Sequence, residues 1–203
     1  MSNFELKSPF QPTGDQPQAI QKLTKNLNAG VNYQTLLGIT GSGKTYVASN
    51  VIQRIQKPVL ILSPNKTLAA QLFSEFKTFF PKNETKFFIS FYDYYQPEAY
   101  LPSTDTYISK DSKINKYIEE LRHDAITSVL NHNDIIIVAS VSAIYDVGSP
   151  ENFNKASFTI NINDKFTRSE LAKRLVTIHF SLKNLNLSDS GFFRFRENII
   201  EVF

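Results

Sequence analysis

The sequence predicts an α/β domain with a mostly parallel, doubly wound sheet, followed by the start of a small α+β unit. Three observations carry that prediction. Short apolar runs alternate with amphipathic helical stretches through the first 150 residues; a glycine-rich turn joins the first run to its helix; and from Glu151 the apolar residues alternate with a period of two. A length of 203 residues suits one full domain and part of a second.

The elements follow in order. After a polar, Pro-rich opening, Ala19, Ile20, Leu23 and Leu27 share one face of a helix that ends near Gly30, with Asp15 placed to cap it and Pro17 in its first turn. The run 34–39 predicts a short strand, and the following helix turns Val47, Val51 and Ile55 inward. The continuous apolar run 58–64 predicts a strand covered on both faces, with a helix over 65–80 behind it. A third strand is predicted over 86–92, a helix over 112–130 and a fourth strand over 134–140.

Between the third strand and its helix lies YDYYQPEAYLPSTDTYISKD, too long for a simple crossover, so it forms a hairpin or serves a function. Beyond Glu151 come alternating FTINI, a helix in SELAKRLVTIHF, a polar turn and FFRFRENIIEVF; the two alternating runs predict two strands of an antiparallel sheet around the helix. The domains expected are 1–150, with a tyrosine-rich hairpin at about 91–112, and 151–203. Phe203 closes an apolar strand with no polar tail behind it, the pattern expected of a fragment, and Phe192, Ile199 and Phe203 are expected to be exposed.

Composition excludes several classes. With 41% hydrophobic and 20% charged residues, wholesale disorder is ruled out. Without cysteine there are no disulfides, thiolate zinc sites or cysteine nucleophiles, and His123, His132 and His179 lack zinc-enzyme spacing. A net charge of +3 permits a nucleic-acid partner without indicating one. The opening has no basic flank before an apolar run, so a cytoplasmic location is expected.

The strongest motif is GITGSGKT, residues 38–45, a complete G-x-x-x-x-G-K-[ST] set between an apolar run and a helix. Gly38, Gly41, Ser42 and Gly43 build a phosphate loop whose N–H groups converge on an anion; Lys44 reaches the β/γ-phosphates of ATP and Thr45 holds Mg2+. An acidic partner at the end of a later strand should follow. The candidate strands end at Ser63, Ser90 and Ser140, leaving Asp93 as a Mg2+ ligand or as a solvated residue at a hairpin base, so nucleotide binding with little or no turnover is expected.

Upstream, FQPTGDQP either reads a purine, with Phe10 stacking and Gln16 pairing with the base edge, or simply caps the first helix. Tyr92, Tyr94, Tyr95, Tyr100 and Tyr107, with Phe91, form the densest aromatic cluster: a set of stacking platforms for splayed bases, a self-packed loop or a protein interface. Asn65, Lys66 and Thr67, and Ser140 with Ser142, suit DNA phosphates or helix caps.

The segments SPFQPTGDQPQAI, QTLLGITGSGKT, NKTLAAQL, YDYYQPEAYLPSTDTYI and IIIVASVSAIYDVGSPE, in this order, closely resemble the UvrABC system protein B family of bacterial nucleotide excision repair. That resemblance implies a P-loop, RecA-like helicase domain with an inserted β-hairpin that passes between the strands of damaged DNA. It casts Phe91, Tyr92, Tyr94 and Tyr95 as lesion-testing rings at the hairpin base, with Glu98 and Arg122 as polar partners; Phe91 stands where the family usually has tyrosine. Gln16 and Phe10 become adenine readers, Lys44 the essential lysine, and 65–67 and 140–142 helicase motifs.

The same resemblance, looser after residue 150, casts 151–203 as the start of a domain that docks on UvrA, with Arg194 and Arg196 on its surface or simply solvated on a strand face. It implies that the family's acidic Mg2+ motif, its second helicase domain and the part reaching UvrC lie beyond Phe203. The alternatives are a non-catalytic fragment that docks on UvrA, or a piece of another P-loop DNA helicase.

Overall fold

The computed structural model describes residues 3–90, 92–96, 99–101, 104, 106–108, 111–114, 116–144, 151, 157–183, 191–197 and 199–203, with the backbone alone at 92–96, 99, 101, 106–108, 111–114 and 116. The chain divides into two units, Met1–Asp146 and Val147–Phe203.

In the first unit, helix α1 (Gln16–Asn28) starts with Pro17 in its first turn, where the missing N–H removes no helical bond. Asp15 stands at the N-cap position but makes no side-chain capping bond, contrary to the role expected for it, because its own backbone is already helical. Ile20 is fully buried and packs with Val47 and Val51 of α2 (Lys44–Ile55), the face anticipated from the periodicity. Strand β1 (Val59–Ser63) leads into α3 (Lys66–Phe79), whose N-cap Asn65 accepts from the Leu68 amide at 2.8 Å. Strand β2 (Glu84–Phe88) ends before the residues expected to close it, because pairing with its neighbour stops at Phe88.

Four short strands follow: β3 (Tyr92–Gln96), β4 (Ala99–Leu101), β5 (Thr106–Ile108) and β6 (Asp111–Ile114). β3 pairs antiparallel with β6, and β4 with β5, so the β4–β5 ladder is nested within the β3–β6 ladder. The register shifts between Tyr92 and Tyr94, which puts Asp93 at an irregularity near the hairpin base. Helix α4 (Lys116–Asn131) starts later than the expected 112, because Ser112 pairs with Tyr95 in the ladder. Strand β7 (Ile135–Ser140) returns to the main sheet and runs into a 3-10 turn, Val141–Ile144.

The main sheet is parallel throughout, in the order β1-β7-β2. β7, paired on both edges, is the most buried of the three, and Ile136 and Val138 sit in a core with Phe4, Phe76 and Phe80. Two expectations fail on the β1 side. The run 34–39 forms no strand: Leu36 packs on the α1/α2 face, Gln34 Nε2 donates to the Leu23 carbonyl, and Leu37 is 94% exposed. β1 is an edge strand rather than one covered on both faces, with Leu60 62% exposed. Both departures have one cause, since a strand exists only where another backbone takes its hydrogen bonds, and no ladder links 34–39 to β1.

In the second unit, α5 (Arg168–Thr177) opens with a capping box: Glu170 N donates to Thr167 Oγ1, and Thr167 N donates to Glu170 Oε2. Strands β8 (Ser181–Leu182), β9 (Phe192–Arg196) and β10 (Ile199–Val202) form a sheet in the order β10-β9-β8, with β9 and β10 antiparallel and β8 parallel to β9. The run expected as one strand is thus a hairpin, turned at Glu197 with φ of 47°. FTINI forms no strand, and Ile160 and Ile162 are exposed. Among the described residues of this unit, Phe193 and Leu175 are the buried apolar ones.

Candidate functional site

The turn over 38–45 enters α2 through two glycines in the left-handed region, Gly41 with φ of 80° and Gly43 with φ of 77°. Gly43 is the N-cap residue of α2 and offers no side-chain acceptor, in contrast to Asn65 on α3 and Thr167 on α5. The first amides of α2 therefore keep their donors for something other than a cap. Lys44 Nζ donates to the carbonyls of Gly38 at 3.0 Å and Ile39 at 2.8 Å, closing the turn on itself. Ser42 Oγ donates to the same Ile39 carbonyl at 2.8 Å, and a Cβ on Gly38 would stand 2.7 Å from that hydroxyl. Thr45, half-buried, is anchored through its carbonyl, which accepts from Ser49 Oγ.

The Pro-rich opening comes to this turn. Gln16 Nε2 donates to the Ser42 carbonyl at 3.0 Å, and its Oε1 accepts from the Thr13 amide at 3.2 Å. The carboxamide retains one N–H and one lone pair, the pair of groups that a purine edge needs. Phe10 is 65% exposed, so its ring face is open. Its carbonyl accepts from the hydroxyl of Tyr46 at 2.6 Å. Tyr46 was not anticipated as a functional residue: it lies just past the motif, on the buried side of α2, and nothing local distinguishes it from a core aromatic.

The ends of β1 and β7 bring the other motif residues together. Ser63 and Ser140 are register partners, both buried, so that 65–67 and 140–142 leave the C-terminal end of the sheet side by side. Asn65 caps α3; Ser63 Oγ donates to the Asn65 carbonyl at 3.2 Å; Ser140 and Ser142 share a hydrogen bond of 3.0 Å. Thr67 and Ser142 are exposed and Lys66 is partly so.

Of the hairpin residues, Phe91 and Glu98 lie outside the described residues, and Tyr92, Tyr94, Tyr95 and Tyr107 are described by their backbones alone. Tyr100, on β4, is exposed. Arg122, expected as a polar partner of the hairpin rings, is a buried side chain of α4. It is 2% exposed, donates from Nη1 to the Ile89 and Ala143 carbonyls, and lies 4.2 Å from the Phe88 ring centre. These bonds tie α4 to the end of β2 and to the turn after β7.

In the second unit, Arg194 pairs with Glu201 and lies over the Phe203 ring, whereas Arg196, also within reach of Glu201 at 3.7 Å, is the more exposed. The hydrogen bond from Arg194, with the charges of both arginines, outweighs desolvation and holds the Glu201 carboxyl below its ordinary range. Among the described residues, no group of three or more His, Asp or Glu could hold a metal ion, and no helix is long and apolar enough to cross a membrane.

The family described as type III restriction enzyme, res subunit, matches residues 9–185. The chain is 52% identical over 203 residues to the UvrABC system protein B of Methanococcoides burtonii, covering 100% of this chain and 31% of that protein. It is 51% identical over 200 residues to the protein of that name from Staphylococcus epidermidis, and 50% identical over 200 residues to that from Thermotoga maritima, in each case covering 98% of this chain and 30% of the relative. The chain thus spans a little under a third of the length of the curated relatives it matches.

Proposed function

Because the chain belongs to the family of the type III restriction enzyme res subunit and, within it, groups with the UvrABC system protein B relatives, we propose that it is an ATP- and DNA-binding part of a nucleotide excision repair protein. The observation that carries this reading is the 38–45 turn, with Gly41 and Gly43 in the left-handed region, α2 uncapped by a side chain, and Lys44 bonded only to carbonyls of the turn. Those residues fit a nucleotide triphosphate. The uncapped amides and Lys44 would take its phosphates, Thr45 would hold the accompanying Mg2+, and Phe10 with Gln16 would take the base. Bound ATP, its phosphate charge offset by Mg2+, would favour the conformation of the site that binds it more tightly.

On this reading the nested hairpin carries its tyrosines into damaged DNA, and 65–67 with 140–142 hold the backbone from the C-terminal ends of β1 and β7. The second unit would dock on UvrA, with Arg196 its more available arginine; recruitment of UvrC would rest on parts of the relatives that this chain does not span. A cytoplasmic location is part of the same reading.

Calorimetric titration with ATP and Mg2+, with Lys44→Ala as control and phosphate release assayed in the same samples, tests it. Lys44-dependent binding without turnover is the expected result; turnover would implicate Asp93, and no binding would remove the nucleotide site. Deleting 91–112 should abolish binding to a lesion-bearing duplex while leaving the far-ultraviolet circular dichroism of the main sheet and helices in place. Unchanged DNA binding would end the hairpin assignment. Binding to UvrA insensitive to Lys44→Ala, with no nucleotide or DNA binding, would support the docking fragment instead.

A further inference from the structure

Base and phosphate are held in this proposal by two separate stretches of chain, the opening turn and the 38–45 turn. The hydroxyl of Tyr46 joins them. Its donor reaches the Phe10 carbonyl at 2.6 Å, and Phe10 N is itself tied to Ser8 Oγ at 3.0 Å, so the Phe10 backbone is held on both sides while its ring stays exposed. The Tyr46 ring is 9% exposed and packs at 5.7 Å against Phe79, whose carbonyl accepts from the Lys7 amide at 2.8 Å. A few residues on, Gln16 makes the second tie, to the Ser42 carbonyl. The opening is thus bonded to the helix that follows the phosphate-binding turn and to the turn itself.

We propose that Tyr46 is a positioning residue that fixes the Phe10 turn on α2 and makes recognition of the base depend on the conformation of the 38–45 turn. The inference rests on the nucleotide reading of this site and adds to it a side chain that acts through the Phe10 backbone rather than on the nucleotide itself. A phenylalanine at 46 would keep the ring packing on Phe79 and lose only the donor. The Phe10 backbone would then sample other positions, and the stacking ring would have to be ordered at the moment of binding. A ligand without a base would notice none of this.

The test compares ATP with inorganic tripolyphosphate, each with Mg2+, titrated into the wild-type chain and into Tyr46→Phe, with thermal unfolding recorded on both proteins. Tyr46→Phe is expected to weaken ATP by roughly three- to ten-fold, the loss of one positioning hydrogen bond, while tripolyphosphate changes by less than about two-fold. A purely structural role would weaken both ligands together, and equal losses would overturn the proposal. So would ATP binding that is unaltered in Tyr46→Phe. If the wild-type chain shows no Lys44-dependent binding of ATP, the nucleotide site itself falls and this inference with it, an outcome distinct from the other two. A double-mutant cycle with Gln16→Ala gives a second measurement: non-additive losses for ATP are expected, and additive ones would show that the two ties act independently.

Discussion

The bare Cα of Gly43 is the seat of the Gln16 carboxamide: a Cβ there would stand 2.5 Å from Gln16 Nε2. Gly43 therefore answers two demands at once, a left-handed backbone with φ of 77° and room for the side chain that ties the opening turn to Ser42.

A comparison of two glycines separates those demands. Gly41 has φ of 80° but open space where a Cβ would go, so Gly41→Ala meets only the left-handed strain, about 1–2 kcal/mol. Gly43→Ala meets the same strain and also dislodges Gln16, adding about 1 kcal/mol for the lost hydrogen bond. Urea unfolding should rank Gly43→Ala as the less stable; equal losses in the two variants would show that Gln16 moves aside without cost.

Arg122 offers a stability test of its own. Removing its guanidinium leaves the Ile89 and Ala143 carbonyls without that donor and strips the cation from the Phe88 ring, at a combined cost of about 2–4 kcal/mol. Arg122→Met, which keeps most of the aliphatic volume, is expected to lower the urea midpoint by a corresponding amount. A loss below about 1 kcal/mol would place the residue's importance outside the fold.

Asn65 permits stability and DNA binding to be separated. Asn65→Ala removes the acceptor of the Leu68 amide and should cost about 1 kcal/mol, whereas Asn65→Asp caps equally well and should be near neutral. The added negative charge should nevertheless weaken duplex DNA binding more than the alanine does, if 65–67 meet phosphate. Fluorescence anisotropy with a labelled duplex decides it: equal losses would leave Asn65 with its capping role alone.

The Glu201 carboxyl makes the second unit sensitive to acid. With its pKa depressed in the folded chain by the hydrogen bond from Arg194, its contribution is fully present above the unfolded value, about 4.3, and is lost as pH falls through the folded value. The difference in melting temperature between wild type and Glu201→Gln should therefore be constant above about pH 5 and shrink below it. A difference that persists unchanged to pH 3 would show that the carboxylate contributes by packing alone.

Much of the local structure was legible because its causes are local. The apolar spacing of Val47, Val51 and Ile55 places one face of α2 against α1, and the glycine pattern of 38–45 marks a turn that other residues would strain. The Asn65 cap was legible as one of two readings, and both remain chemically compatible. The tyrosine-rich stretch was legible as an insertion too long for a crossover, though not as two nested ladders, because their register depends on which backbone meets which.

The helices, the glycine turn before α2 and the family to which the chain belongs are all readable from the residues alone, since each is written in positions a few apart or in their order along the chain. That 34–39 is no strand, that β1 is an edge, that Arg122 is buried and that Tyr46 reaches Phe10 emerge from the folded arrangement. Helical hydrogen bonds close between residues four apart, but a strand needs a partner, and a buried charge its acceptors, from distant parts of the chain.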